Sequence, residues 1–432
     1  MKMKLKYVSI FFIVAFSTSS FFGTILLGGD MRYFGSNGTN LLKTSAPSDN
    51  LIWEYTANEE VRSVAISASG NVISASTHSP DGSVYLFDNA ASSSKVPLWI
   101  YNTSSNVYGT DISGDGDYIT AVNDAEHVFM FNDSITSPKR PIWDYYPTGD
   151  YMNDVAISMD GNYVIAARYD GVIILLNNSI TTPKTEMWNY TTGGVVWTVA
   201  ISGDGNYIVT GSTDQRVYLF SKSSSTPLWN YTTGGNVRTV AISTDGNYIV
   251  AGTSNARVFL FHRSSATPLW NYSADGIINT VAINSNGDYI VAGGDDNNIY
   301  LFGKSSSSPL WNFTTGGPIS DATHPKCITI SENGNYLAAG SYDFKIYVFE
   351  RTSSTPLFNY TTGGEITCLA MSADGAYIVA GSTDWGAYLL YNELPLPPNG
   401  GPAIPFGSSF IVFAIFSVVG LILFVKKRFR AH

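Results

Sequence analysis

The stretch Pro227-Leu-Trp-Asn-Tyr-Thr-Thr-Gly-Gly235 returns along the chain in near copies. It reads Met-Trp-Asn-Tyr-Thr-Thr-Gly-Gly from Met187, Leu-Trp-Asn-Tyr-Ser-Ala-Asp-Gly from Leu269, Leu-Trp-Asn-Phe-Thr-Thr-Gly-Gly from Leu310 and Leu-Phe-Asn-Tyr-Thr-Thr-Gly-Gly from Leu357. Looser versions begin at Leu51, Leu98 and Ile142. The marker aromatics Trp53, Trp99, Trp143, Trp188, Trp229, Trp270, Trp311 and Phe358 stand about 41 to 47 residues apart, a period that signals a solenoid or a propeller.

One unit, from Leu228, holds four apolar runs separated by turn chemistry. The runs are rich in Val, Ile, Tyr and Phe and have strand length. Asp245-Gly246-Asn247 and Ser254-Asn255 supply hairpin turns, because Gly, Asn and Asp tolerate positive φ. Four hairpin-linked strands repeated eight times predict an all-β, eight-bladed β-propeller over residues 51–392. Within the marker strand, alternation puts Trp229 and Tyr231 on one face, wedged against a neighbouring blade, and Asn230 on the other. The last three-strand group, Glu365 to Tyr391, has no marker strand after it, and the first marker strand has no group before it. Leu51 to Thr56 is therefore expected to pair with Ala387 to Tyr391 and close the ring, removing a free edge.

The ends differ from the body. Residues 1–28 join a basic Met-Lys-Met-Lys-Leu-Lys start to an apolar stretch, which reads as a signal peptide or an uncleaved anchor helix. After a linker over 29–50, the propeller and a Pro/Gly linker over 393–403, residues 404–425 form an uncharged run long enough to span a membrane as a helix. The basic tail 426–432 is expected to stay cytoplasmic, leaving the propeller outside, single-pass or two-pass according to cleavage. Seven of the 24 basic residues lie in these ends, which leaves 17 against 34 acidic ones in the body. Such a surface repels nucleic acid.

The inner runs, as in Val237-Arg-Thr-Val-Ala-Ile-Ser and Tyr248-Ile-Val-Ala-Gly, resemble WD40 repeats, with Leu-Phe in place of the usual Trp-Asp pair. The outer Trp before a Gly-rich turn also resembles the quinoprotein (PQQ-type) propeller repeat. The second resemblance would imply a dehydrogenase with an axial cofactor, calcium, a catalytic Asp and often a disulfide between adjacent cysteines. The chain has no Cys-Cys pair, and no Asp-rich cluster is evident that breaks the repeat. The Asp115, Asp117 and Asp-Gly-Asn carboxylates suit turns better than calcium loops. Asp214, Asp343 and Asp384 also suit turns, and His78, His127, His262 and His324 occupy unrelated repeat positions. No cofactor, metal or catalytic residue is assigned.

Binding is the expected activity, with a protein, glycan or envelope component as partner and a propeller enzyme as the alternative. Both membrane linkers should leave from the face bearing the Asp-Gly-Asn and Ser/Thr/Pro loops. The opposite face varies most between blades and offers Arg168, Tyr169, Trp197, Arg216, Tyr342, Phe344 and Trp385 as contact anchors. Asn37, Asn102, Asn132, Asn177, Asn189, Asn230, Asn271, Asn312 and Asn359 head N-glycosylation sequons. Cys327 and Cys368 hold equivalent places in consecutive inner strands, which admits either a disulfide or two buried thiols.

Overall fold

The computed structural model describes residues 50–393, apart from 79–81, 93, 135–137, 180–182 and 321–325, together with three strands nearer the N-terminus. Eight four-stranded antiparallel sheets follow one another along the chain. Blade 1 comprises Val61–Ile66, Val72–Thr77, Ser83–Asp88 and Trp99–Asn102, named here inner, second, third and outer strands. The inner strands of blades 2 to 8 are Val107–Ile112, Met152–Ile157, Val196–Ile201, Val237–Ile242, Ile278–Ile283, Ile328–Ile330 and Ile366–Met371.

Blade 8 takes its outer strand from the start of the propeller. Leu51–Thr56 pairs with Gly386–Tyr391 in the register Gly386↔Thr56, Ala387↔Tyr55 and Leu389↔Trp53, as the strand count required. Trp53 is 1% exposed and meets Phe87 of blade 1 at 5.1 Å between ring centroids, so this strand also seals the last blade against the first. The same wedge recurs: Trp229 packs on Phe261 and Trp270 on Phe302 of the following blade. Several of these indoles also donate across the gap, Trp188 to Lys222 O, Trp229 to Arg263 O, Trp270 to Lys304 O and Trp311 to Arg351 O.

The Asp-Gly turns explain their own sequence. Ser243 Oγ donates to Asp245 Oδ1, which also accepts from Asn247 N, and Gly246 takes φ +69°. A Cβ on Gly246 would stand 2.8 Å from the Tyr207 ring of the preceding blade, so glycine is needed for both reasons. The two ends of the propeller meet on this face, where Tyr391 N donates to Asn50 O and Asn392 N to Ala376 O.

The N-terminal apolar stretch departs from the helix expected of it. Val14–Ser17, Ser20–Leu27 and Asp30–Phe34 form a three-stranded antiparallel sheet. Phe, Ile and Thr favour strand, and the serine-rich break at 17–20 interrupts any helical run. The expected membrane helix at 404–425 and the tail 426–432 lie outside the described residues. Among the described residues no helix is long and apolar enough to cross a membrane.

Candidate functional site

Each inner strand except that of blade 7 opens with a register shift that leaves one residue out of the ladder. The skipped residues are Arg62, Tyr108, Asn153, Trp197, Arg238, Asn279 and Thr367. Such bulges re-aim a side chain, here at the end of each inner strand nearest the second-to-third-strand hairpins; Asn279 and Thr367 are buried in the wall. The core-facing Val and Ile positions hardly vary between blades, whereas these seven do.

On blades 1 to 4 the mouth carries a row of half-buried aromatic rings. His78 meets Tyr108 edge-on at 5.4 Å, and Tyr108 stacks on Tyr151 at 5.5 Å. Tyr151 stacks on Tyr169 at 4.5 Å, and Tyr169 meets Trp197 edge-on at 5.7 Å. The Arg62 guanidinium lies over the Tyr108 ring at 5.1 Å. Burial, then the neighbouring Tyr169 hydroxyl, holds the Tyr151 phenol well above its ordinary pKa, so it stays a neutral hydrogen-bonding group. Offset and edge-on contacts of this kind make a rigid amphipathic surface that loses little entropy on binding.

Below the mouth lies a cavity of about 320 Å³, lined mostly by Val, Ile, Ala and Thr of the inner strands. Two charged residues, Asp111 and Lys326, interrupt that lining, and a third, Asp154, stands beside it. Asp111 stands where the other blades have Ala or Thr, and accepts from Ile112 N and from Ile157 N of the next blade, each at 2.9 Å. Asp154 accepts from Val155 N and, across to blade 4, from Val199 N. Lys326 of blade 7 reaches Asp154 at 2.7 Å. Burial lifts the Asp111 carboxyl above its ordinary range, only partly offset by Lys326 and the two amides. Burial works against the Lys326 charge, but Asp154 and Asp111 outweigh it and hold the ammonium above its usual value. An axial acidic pair therefore does break the repeat, against the expectation from sequence; blade-by-blade alignment of the Val-Ala-Ile run would have exposed Asp111.

The anchors expected from sequence do not form one patch. Tyr169 and Trp197 come together, joined by Tyr108 and Tyr151, which the sequence reading missed. Arg168 is committed instead to Asp170, through Nε at 2.8 Å and Nη2 at 2.6 Å, and to Thr148 O. Arg216 opens the third strand of blade 4 and is exposed. Phe344 and Trp385 occupy equivalent hairpin tips of blades 7 and 8, 43% and 46% exposed, each with positive φ. Tyr342 lies in the same blade 7 hairpin, its amide bound to Pro318 O.

The turn carboxylates behave as turn carboxylates. Asp214 Oδ2 accepts from Gly193 N and from the Tyr218 hydroxyl, and Asp343 and Asp384 repeat the pattern with Tyr347 and Tyr388. Among the described residues no group of three His, Cys, Asp or Glu is placed to hold a metal. Cys327 and Cys368 are buried and form no disulfide. Each sulfur turns toward the following blade, Cys327 to Thr367 O and Cys368 to Val61 O, so the two thiols occupy successive interfaces. Asn102, Asn189, Asn230, Asn271, Asn312 and Asn359 are exposed on outer strands, Asn132 and Asn177 close third strands, and Asn37 lies outside the described residues.

Comparison with known proteins fits this geometry. The WD40 profile (WD domain, G-beta repeat) matches residues 49–88, 184–221, 225–262, 266–302, 317–350 and 354–389, together just over half of the chain. The unmatched stretch 89–183 holds blade 2 and most of blade 3, which carry Tyr108, Asp111, Tyr151, Asp154 and Tyr169. Among solved structures, Sqt1 of Chaetomium thermophilum bound to the N-terminus of the ribosomal protein L10 superposes with a TM-score of 0.67 at 16% identity, covering 80% of this chain and 100% of that one. Sqt1 of the same organism by itself gives 0.69 at 16% identity, over 79% and 98%. At such identity the likeness shows the fold alone. No characterised protein matches the sequence significantly.

Proposed function

The chain belongs to the WD40 (WD domain, G-beta repeat) family, and from that premise we propose that it is a non-enzymatic platform that binds a protein partner at the mouth of its axial cavity. The observation that carries this reading is the aromatic row from Tyr108 to Trp197, three of whose four rings stand on blades 2 and 3, in the stretch that the WD40 profile leaves unmatched. Stacked Tyr and Trp rings are the side chains that dominate protein interfaces. The Sqt1 structure, in which a propeller of this fold holds a protein N-terminus, supports a polypeptide partner. The charged axial residues are spent on backbone amides and on each other, which leaves them poorly suited to hold a cofactor.

In this proposal residues 404–425 anchor the chain with the propeller outside the cell. The uncharged 22-residue run followed by Lys426-Lys427-Arg428 supports it, as does the meeting of both propeller ends on the face opposite the aromatic row. The row would then point away from the membrane. The test is cross-linking of the full chain in its native membranes, followed by mass spectrometry. The parent should yield a specific protein partner, and a Tyr169→Ala/Trp197→Ala variant should lose it. Equal recovery by the variant would end the reading. Protease shaving of intact cells tests the placement separately.

A further inference from the structure

We propose that Asn189, Asn230, Asn271, Asn312 and Asn359 carry N-linked glycans, and that each glycan covers the exposed apolar side chain two residues before it. The inference rests on the extracytoplasmic placement proposed above, and its evidence is the outer wall of blades 3 to 7.

The five asparagines hold one register. Asn189 lies opposite Ile174, Asn230 opposite Tyr218, Asn271 opposite Phe259, Asn312 opposite Tyr300 and Asn359 opposite Tyr347. Two residues earlier stand Met187, Leu228, Leu269, Leu310 and Leu357, Leu228 and Leu310 within the outer strand and the other three immediately before it. Met187 is 42% exposed and the four leucines between 49% and 56%. One exposed leucine is ordinary, but the same apolar position open in five successive blades is an organised stripe.

The remaining blades supply the internal control. At the asparagine position blade 8 has Glu54, blade 1 has Ile100 and blade 2 has Asp144, none of them in a sequon. The residues two before them, Ile52, Leu98 and Ile142, are only partly exposed. Exposure of the apolar residue thus accompanies the sequon. A sugar attached to an asparagine can lie on a side chain two residues away, about 7 Å along an extended chain. It would shield the leucine and blunt the open edge of the outer strand, where unpaired backbone groups otherwise invite association.

The other sequons are built differently. Asn132 Oδ1 accepts from the Ser134 hydroxyl and the Lys139 ammonium, and Asn177 Oδ1 from the Ser179 hydroxyl and the Lys184 ammonium. Both lysines are buried, so these asparagines are tied into loop closure and remain unmodified in the proposal. Asn102 lies two positions further along its outer strand, outside the common register. The attachment itself needs a lipid-phosphate-linked sugar as donor. The Asn Nδ2 attacks the anomeric carbon, an N–C bond forms as the C–O bond to phosphate breaks, the lipid phosphate leaves with that electron pair, and the amide yields one proton to the transferase.

The experiment takes the full chain from its own host. Intact cells are shaved with protease to locate the propeller, and glycopeptide mass spectrometry reads each sequon. A cleavable propeller with sugar on most of the five asparagines, and none on Asn132 or Asn177, supports the proposal. A cleavable propeller unmodified at all five overturns it and leaves the placement standing; a protected propeller overturns both. The covering role is read separately. A variant with all five asparagines changed to glutamine should bind more of an apolar-surface dye than the parent, and the increase should vanish when Met187 and the four leucines are also changed to serine. Equal dye binding by parent and glutamine variant overturns the covering.

Discussion

Lys326 Nζ lies 2.7 Å from Asp154 Oδ1, although the residues are 172 positions apart and belong to blades 7 and 3, which face each other across the axis of an eight-membered ring. The pair ties opposite walls of the channel. The Asp154 side chain is 5% exposed while Lys326 keeps 38% of its surface open to the cavity, so the pair is partly solvated. Lys326→Met should destabilise by about 2 kcal/mol, below the ~3–5 kcal/mol of a sealed pair, because Asp154 is left buried and uncompensated. Adding Asp154→Asn should restore part of the loss. Denaturant midpoints of the four species check this, and additive effects would show that the two residues are not coupled.

The same cluster sets a pH dependence of definite sign. Asp111 has a raised folded pKa, so the folded state binds its proton more tightly than the unfolded chain. Stability contributed by that proton is present at low pH and is lost as pH rises from about 4 through the folded value. Asp111→Asn should flatten this decline while keeping one amide acceptor. Lys326 is raised too, so its contribution is complete below about pH 10.5 and is lost above, as pH climbs through its folded value. Unfolding midpoints between about pH 4 and 7, and again above pH 10, would test both arms; a parent and Asp111→Asn variant with parallel curves would refute the first.

Ring closure concentrates at Trp53. The ring is sealed between Phe87 of blade 1 and its own blade, so Trp53→Ala should cost about 3–5 kcal/mol. Trp229→Ala should cost less, since that ring is only partly buried. Deleting 51–56 would open blade 8 along Gly386–Tyr391 and should cause aggregation. Thermal unfolding and light scattering of the three variants measure the ranking. Equal losses for Trp53 and Trp229 would show that closure has no special weight.

Most of the fold was legible because repetition makes strand count, turn chemistry and closure arithmetic. The period of the aromatic marker fixed eight blades, and the unpaired first and last segments fixed the seal. The site was harder to read for a physical reason. Tyr108 and Tyr151 look like ordinary strand residues until the bulge at Tyr108 removes it from the ladder. Asp154 and Lys326 are joined only when the ring closes, and no local pattern links blades 3 and 7. Arg168 has the sequence character of an exposed anchor, and only the folded hairpin brings Asp170, two residues on, against its guanidinium.

Both thiols should be inert in the folded protein. Cys368 is buried and its pKa is pushed up to about 12, chiefly by burial, so almost no thiolate is present at neutral pH. Cys327 is buried as well and donates to Thr367 O at 2.9 Å. A chromogenic disulfide reagent should react with neither at pH 7 and with both after denaturation. One mole of disulfide in the non-reduced native protein would contradict the structure.

Tyr151 is the hinge of the aromatic row, with Tyr108 at 5.5 Å on one side and Tyr169 at 4.5 Å on the other. Removing the ring breaks two stacked contacts, each worth about 0.5–1.5 kcal/mol beyond its buried area. Tyr151→Ala should therefore lower stability by about 2 kcal/mol and release Tyr108 and Tyr169 from their fixed orientation. If the row is a preorganised binding surface, partner affinity should fall by more than the tenfold that about 1.4 kcal/mol represents, since two further rings lose their pose. Tyr151→Phe keeps both stacks and removes only a hydroxyl, so it should retain the partner. Loss of binding in both variants would assign recognition to the hydroxyl; retention in both would place the partner elsewhere. A calorimetric titration at one temperature, run beside the denaturation curves, separates a lost surface from a loosened blade.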